Sequence, residues 1–124
     1  MRNMSKKTWK LRVWNHMTEM QRLDYLLTKA GVAHEMERRF PKNDKYRPEV
    51  CGPGAPHDGG YLITVRDESG AHLWDVACGW CTYGFPHLLE AYGHALIGHD
   101  DVEGGLTARQ VTKMWRCRNA AKNR

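Results

Sequence analysis

Cys78 and Cys81, separated by Gly79 and Trp80, have the spacing at which two thiolates chelate one metal ion or close a reversible disulfide. A thioredoxin-like dithiol sits between the first strand of a parallel unit and its helix. Here the pair follows an expected hairpin, so the redox reading lacks its context. Structural zinc needs a second ligand pair, and no spacing among Cys51, His57, His87, His94, His99 and Cys117 supplies one. Zinc at Cys78 and Cys81 therefore stands as an alternative only, and Cys78 and Cys117 are read more simply as small packing residues. Cys51, His57 and Asp58 formally provide nucleophile, base and orienting acid, but no oxyanion-forming turn accompanies them. His87 and His94 are about two helical turns apart, too far to share an ion, and are expected at the surface. Asp100, Asp101 and Glu103 do not form an EF-hand loop and are expected to complement the positive end of the helix that follows. No catalytic motif is complete, so the expectation is a protein that binds rather than catalyses.

Charge gives the stronger lead. The chain has 124 residues and a net charge of +5, and that charge is concentrated at its ends. Residues 1–15 carry Arg2, Lys6, Lys7, Lys10 and Arg12, and residues 109–124 carry Arg109, Lys113, Arg116, Arg118, Lys122 and Arg124, with no acid in either stretch. Residues 50–108 set Arg66 alone against eight carboxylates. Near the ends, Trp9 and Trp14 interleave with the first set of cations and Trp115 with the second. Cations beside aromatic faces can grip a phosphate backbone or unstacked bases. The candidate binding residues are thus Lys6, Lys7, Trp9, Lys10, Arg12, Arg109, Lys113, Arg116 and Arg118. The competing reading is that these cations only solvate a small protein and complement a helix C-terminus. No helix-turn-helix, RRM or KH signature accompanies them.

The elements that must position these residues suit one compact domain. Met20, Leu23, Leu26 and Leu27 form an apolar stripe that predicts a helix over about 18–30. Thr18 and Gln21 form its capping box, and Gly31 follows its end. Upstream, Trp9, Leu11 and Val13 alternate with cations, which fits a short strand or a helical extension. Val32 to Phe40 begins as a possible strand. Prolines 41, 48, 53 and 56 then mark a long Pro/Gly-rich loop over about 41–60. Alternation from Tyr61 to Cys78 around Asp67-Glu68-Ser69-Gly70 predicts a β-hairpin, with His72, Trp74, Val76 and Cys78 on one face. Helices are expected over about 86–97, with Pro86 at its first position, and over about 107–118, opened by a Thr107/Gln110 capping box. The fold class is α+β, a small antiparallel sheet packed against three helices.

No apolar run reaches a membrane-spanning length of about 18 residues, and no secretory signal opens the chain, so a soluble cytoplasmic protein with reduced thiols is expected. Between Gly60 and Trp115, the residues Trp74-Asp75-Val76, Cys78, Tyr83-Gly84, Leu88-Leu89-Glu90, Gly93, Asp101-Val102-Glu103-Gly104 and Leu106-Thr107-Ala108 resemble small accessory proteins of phages and prophages. That resemblance covers under half the chain and brings no functional residue with it. It implies an anti-CRISPR-like setting, in which a small protein inhibits a host defence complex by binding a protein or ribonucleoprotein surface. Direct DNA or RNA binding through the basic ends is the alternative.

Overall fold

Backbone pairing organises the chain into one five-stranded antiparallel sheet in which every strand lies beside its neighbour in sequence. The structure is a computed structural model that describes residues 6–39, 60–79 and 82–122. In order, the elements are α1 (Lys6–His16), α2 (Glu19–Lys29), β1 (Glu35–Arg38), β2 (Tyr61–Arg66), β3 (His72–Ala77), β4 (Leu89–Tyr92), α3 (His94–Ile97), β5 (Val102–Leu106) and α4 (Ala108–Lys122). The class is α+β, as the sequence indicates. The stretch 41–59 of the long loop lies outside the described residues.

The core forms where one face of the sheet meets the helices. Ile63 and Val65 of β2, Trp74 and Val76 of β3 and Leu89 and Ala91 of β4 are buried there. They pack with Met20, Leu23 and Leu27 of α2 and with Ala108 and Val111 of α4. The helical residues recur at three to four positions and the strand residues at two, so each element presents one apolar face to the other layer. Helix α2 starts where expected. Thr18 Oγ1 accepts from Gln21 N at 3.2 Å, and Thr18 N donates to Gln21 Oε1 at 2.8 Å. The same box opens α4, with Gln110 N donating to Thr107 Oγ1 at 3.2 Å and Thr107 N to Gln110 Oε1 at 2.8 Å. In the hairpin turn, Asp67 Oδ1 accepts from Ser69 N at 2.9 Å, Ser69 Oγ at 2.6 Å and Ala71 N at 3.0 Å.

Of the two readings of Trp9 to Val13, the helical one holds, because Lys6, Lys7, Lys10, Leu11 and Arg12 are good helix formers. Three expectations are corrected. The helix expected over 86–97 is instead a turn over 83–87, strand β4 and the single helical turn α3. Leu89 and Ala91 face inward and β4 pairs with both β3 and β5, so tertiary pairing overrides a helical spacing. Gly93 ends that strand at φ 129°, in van der Waals contact with the Trp74 backbone: a Cβ at this position would lie 2.6 Å from Trp74 Cα. Pro86 does not open a helix, and the Phe85–Pro86 peptide is cis. His72 leaves the core face. The pairing shifts register between Val65 and Arg66, and His72 Nε2 lies 2.7 Å from Asp75 Oδ2, with its ring 6.2 Å from that of Tyr92.

Candidate polyanion-binding groove

The last helix carries its candidate cations on two sides. At about 100° per residue, Arg109, Lys113 and Arg116 fall within about 60° of one another, while Arg118 lies about 180° from the first. The structure separates them accordingly. Arg109, Lys113 and Arg116 line a groove of about 820 Å3 between α4 and the C-terminal half of α2, together with Lys29, Thr112 and Trp115. Arg118 faces another hollow beside Leu73 and His94. Its guanidinium occupies the space over Gly98, where a Cβ would meet Arg118 Nη2. That glycine caps α3 in the left-handed region at φ 79°.

Among the described residues, no carboxylate lines the α2–α4 groove. Among the described residues, Lys113 and Arg116 form no ion pair. Lys29 sits 6.0 Å from the Tyr25 ring centre, and Arg109 sits 4.9 Å from that of Trp14. Both cations thus lie against ring faces. Arg22 also lies over Trp14, at 5.1 Å, and Tyr25 meets that indole edge-on at 6.3 Å between centroids. Trp115 is half-buried and packs on Trp74 with centroids 5.6 Å apart. Trp14 thus holds Arg109 and Arg22 from outside the groove lining, while Trp115 packs on Trp74 and lines the groove.

Helix α4 starts on an acid that the sequence did not single out. Ala108 N donates to Glu19 Oε1 at 2.8 Å, and the other oxygen of Glu19 pairs with Arg22. The acidic segment expected to serve this helix does not do so. Glu103 lies in β5 beside His99, Nε2 to Oε2 3.9 Å, and Asp101 Oδ1 accepts from Val102 N at 2.8 Å.

The other candidates disperse. Arg12 lines a separate groove between α1, α2 and β1. The side chains of Lys6, Lys7, Trp9 and Lys10, and all of Cys81, Cys51 and His57, lie outside the described residues. Cys78 is half-buried at the end of β3. Among the described residues, no three His, Cys, Asp or Glu side chains cluster to hold a metal, and no helix is long and apolar enough to cross a membrane. His87, His94 and His99 are exposed.

No family model matches the chain, and no curated protein or solved structure matches it. The residues of the phage-type resemblance fall on β3, β4, β5, the turns between them and the start of α4. There they act in packing: Gly93 against Trp74, Gly104 against Tyr83, and Glu90 Oε2 accepting from Tyr83 N at 2.7 Å.

Proposed function

We propose that this chain is a non-enzymatic binding protein whose α2–α4 groove takes the phosphate backbone of a nucleic acid. The observation that supports this is a groove that, among the described residues, is lined by four cations, Lys29, Arg109, Lys113 and Arg116, and no carboxylate. Phosphates neutralise such a cluster and release condensed counterions, which makes affinity fall with salt. Asn119 adds an uncharged hydrogen-bond donor to the same walls. Cations positioned for phosphates read the backbone and carry little sequence preference.

The test is fluorescence anisotropy with a labelled 20-nucleotide strand and the matching duplex, titrated at several salt concentrations. Four contacts give a slope of log affinity against log salt of about −3 to −4. Lys113→Glu with Arg116→Glu should abolish binding, while Arg66→Gln on the far side of the sheet should leave it intact. A flat salt response, or binding that survives the double reversal, overturns the reading. Inhibition of a host ribonucleoprotein, the role implied by the resemblance, would involve the same groove if the strand is presented within a complex. Capture of such a complex from nuclease-treated lysate, lost in the double reversal, is its separate test.

A further inference from the structure

The α2–α4 groove holds more than its cations. Leu26, Leu27, Val32 and Trp115 line it as well, between Lys29 on the α2 side and Arg109, Lys113 and Arg116 on the α4 side. Leu27 is buried, whereas Leu26, Val32 and Trp115 are half-buried and pack against the margin of the core. Each keeps part of its apolar surface toward the groove. A phosphate backbone resting on the four cations leaves that surface in water, because an anionic oxygen gains nothing from apolar carbon.

The part of a nucleic acid that matches it is a base, which has flat uncharged faces and a polar edge. In a duplex those faces are covered by the neighbouring pairs, but in a single strand they can be turned out onto a protein. Trp115 is placed to receive one. Its indole is backed by the fully buried Trp74, with centroids 5.6 Å apart and planes tilted by 55°. Its position is therefore set before a ligand arrives, and little side-chain freedom is lost on binding. Trp115 also borders the second hollow, beside Leu73 and His94, so the ring is approached from two sides of α4. One turn further on, the exposed Asn119 borders both hollows and carries an amide that can meet a base edge. The Thr112 hydroxyl is turned inward instead, donating to the carbonyl oxygens of Ala108 at 3.1 Å and Arg109 at 3.0 Å.

We infer that the groove takes single-stranded nucleic acid, with an unstacked base against Leu26, Val32 and Trp115 and the flanking phosphates on the cations of its two walls. This rests on the polyanion reading above and adds the form of nucleic acid to it. Charge alone gives the opposite preference, since a duplex carries the denser row of phosphates. Stacking on an indole is open to every base, so the preference is for the strand and not for a sequence.

The probes are a labelled oligothymidine strand, a strand of equal length whose sugars carry no bases, and the matching duplex, each titrated by anisotropy against the full chain at the same salt. Oligothymidine should bind about tenfold more tightly than the base-free strand, the worth of one stacked base, and more tightly than the duplex. The two single strands should share a salt slope of about −3, because their phosphates are equal in number. Trp115→Leu should bring the ratio of their affinities toward one and leave the slope unchanged. If that variant lacks the parent's far-ultraviolet circular dichroism, Val32→Ser makes the same test. Equal affinity for the two single strands with the slope retained overturns this inference and leaves the polyanion reading standing, and so does tighter binding of the duplex. A ratio unchanged in a folded variant likewise overturns the seat proposed for the base. A flat salt response overturns both readings. So does displacement of oligothymidine by an amphipathic glutamate–leucine peptide at lower concentration than by unlabelled strand, which would make this a groove for an acidic helix.

Discussion

Asp67 carries much of the hairpin turn through one carboxylate oxygen. Chiefly the Ser69 hydroxyl, and then backbone N–H groups led by that of Ala71, stabilise its ionised form and hold its pKa below the ordinary 3.8. A folded-state pKa below the unfolded value contributes stability that is present above the unfolded value and lost as pH falls through the folded one. Acid titration of stability below about pH 4 should accordingly be shallower in Asp67→Asn than in the parent, as read by urea unfolding at each pH. If the two curves run parallel, the turn carboxylate is not part of the acid response. Glu19 works over a longer range, because it closes the start of α4 on the opposite side of the chain. Its replacement by glutamine should retain a hydrogen-bond acceptor but lose the favourable charge at a helix start and the pair with Arg22. We expect a loss of about 1 kcal/mol in denaturant unfolding. Glu19→Ala, which also orphans the amide, should lose about 2 kcal/mol.

At the scale of elements, legibility followed locality. Helix α2 could be read because its stripe, capping box and terminal glycine all lie within one segment. The hairpin could be read for the same reason. Strand β4 could not, since Leu88, Leu89, Tyr92 and Leu96 carry helical spacing and only its pairing with β3 and β5 decides the matter. Strand β5 holds Gly104 and Gly105, which weaken any strand signal. Gly104 is nevertheless required there, because a Cβ would lie 2.2 Å from that of Tyr83. The groove was half legible. Arg109, Lys113 and Arg116 share a helical face by spacing alone, whereas Lys29 joins them only through the packing of α2 on α4. Glycines test this contrast between local and tertiary demands. Gly31 has a positive φ of 73° with nothing within 4 Å of a Cβ, so Gly31→Ala carries only the left-handed conformational cost of about 1 kcal/mol. At Gly93 the conformation and the contact with Trp74 combine, and Gly93→Ala should lose about 3 kcal/mol or fail to fold. Equal losses at the two sites in thermal unfolding would mean that β4 and β3 move apart more easily than their packing indicates.

At the scale of the molecule, the described residues are electrically two-sided. The helix layer presents Lys29, Arg109, Lys113 and Arg116 around a groove without acids, while the far side of the sheet presents Glu35, Glu37 and Asp75 against Arg66. Such a separation orients the protein before contact: a polyanion draws the helix layer toward itself and repels the sheet side. The steering acts over roughly one screening length, about 10 Å at 0.1 M salt, so it belongs to the association rate more than to the final contact. In stopped-flow mixing with labelled DNA at low salt, Lys113→Gln with Arg116→Gln should slow association about tenfold, an effect that shrinks toward nothing near 1 M salt. Glu35→Gln with Glu37→Gln should change the rate less than about twofold, because those charges face away from the incoming strand. Neither pair of substitutions should alter thermal stability by more than about 0.5 kcal/mol, since all four residues are exposed. A slowing that persists at high salt would locate the effect in the bound complex instead. An acceleration by the glutamate variants equal to the slowing by the others would mean that net charge, rather than its placement on the helix layer, governs the encounter.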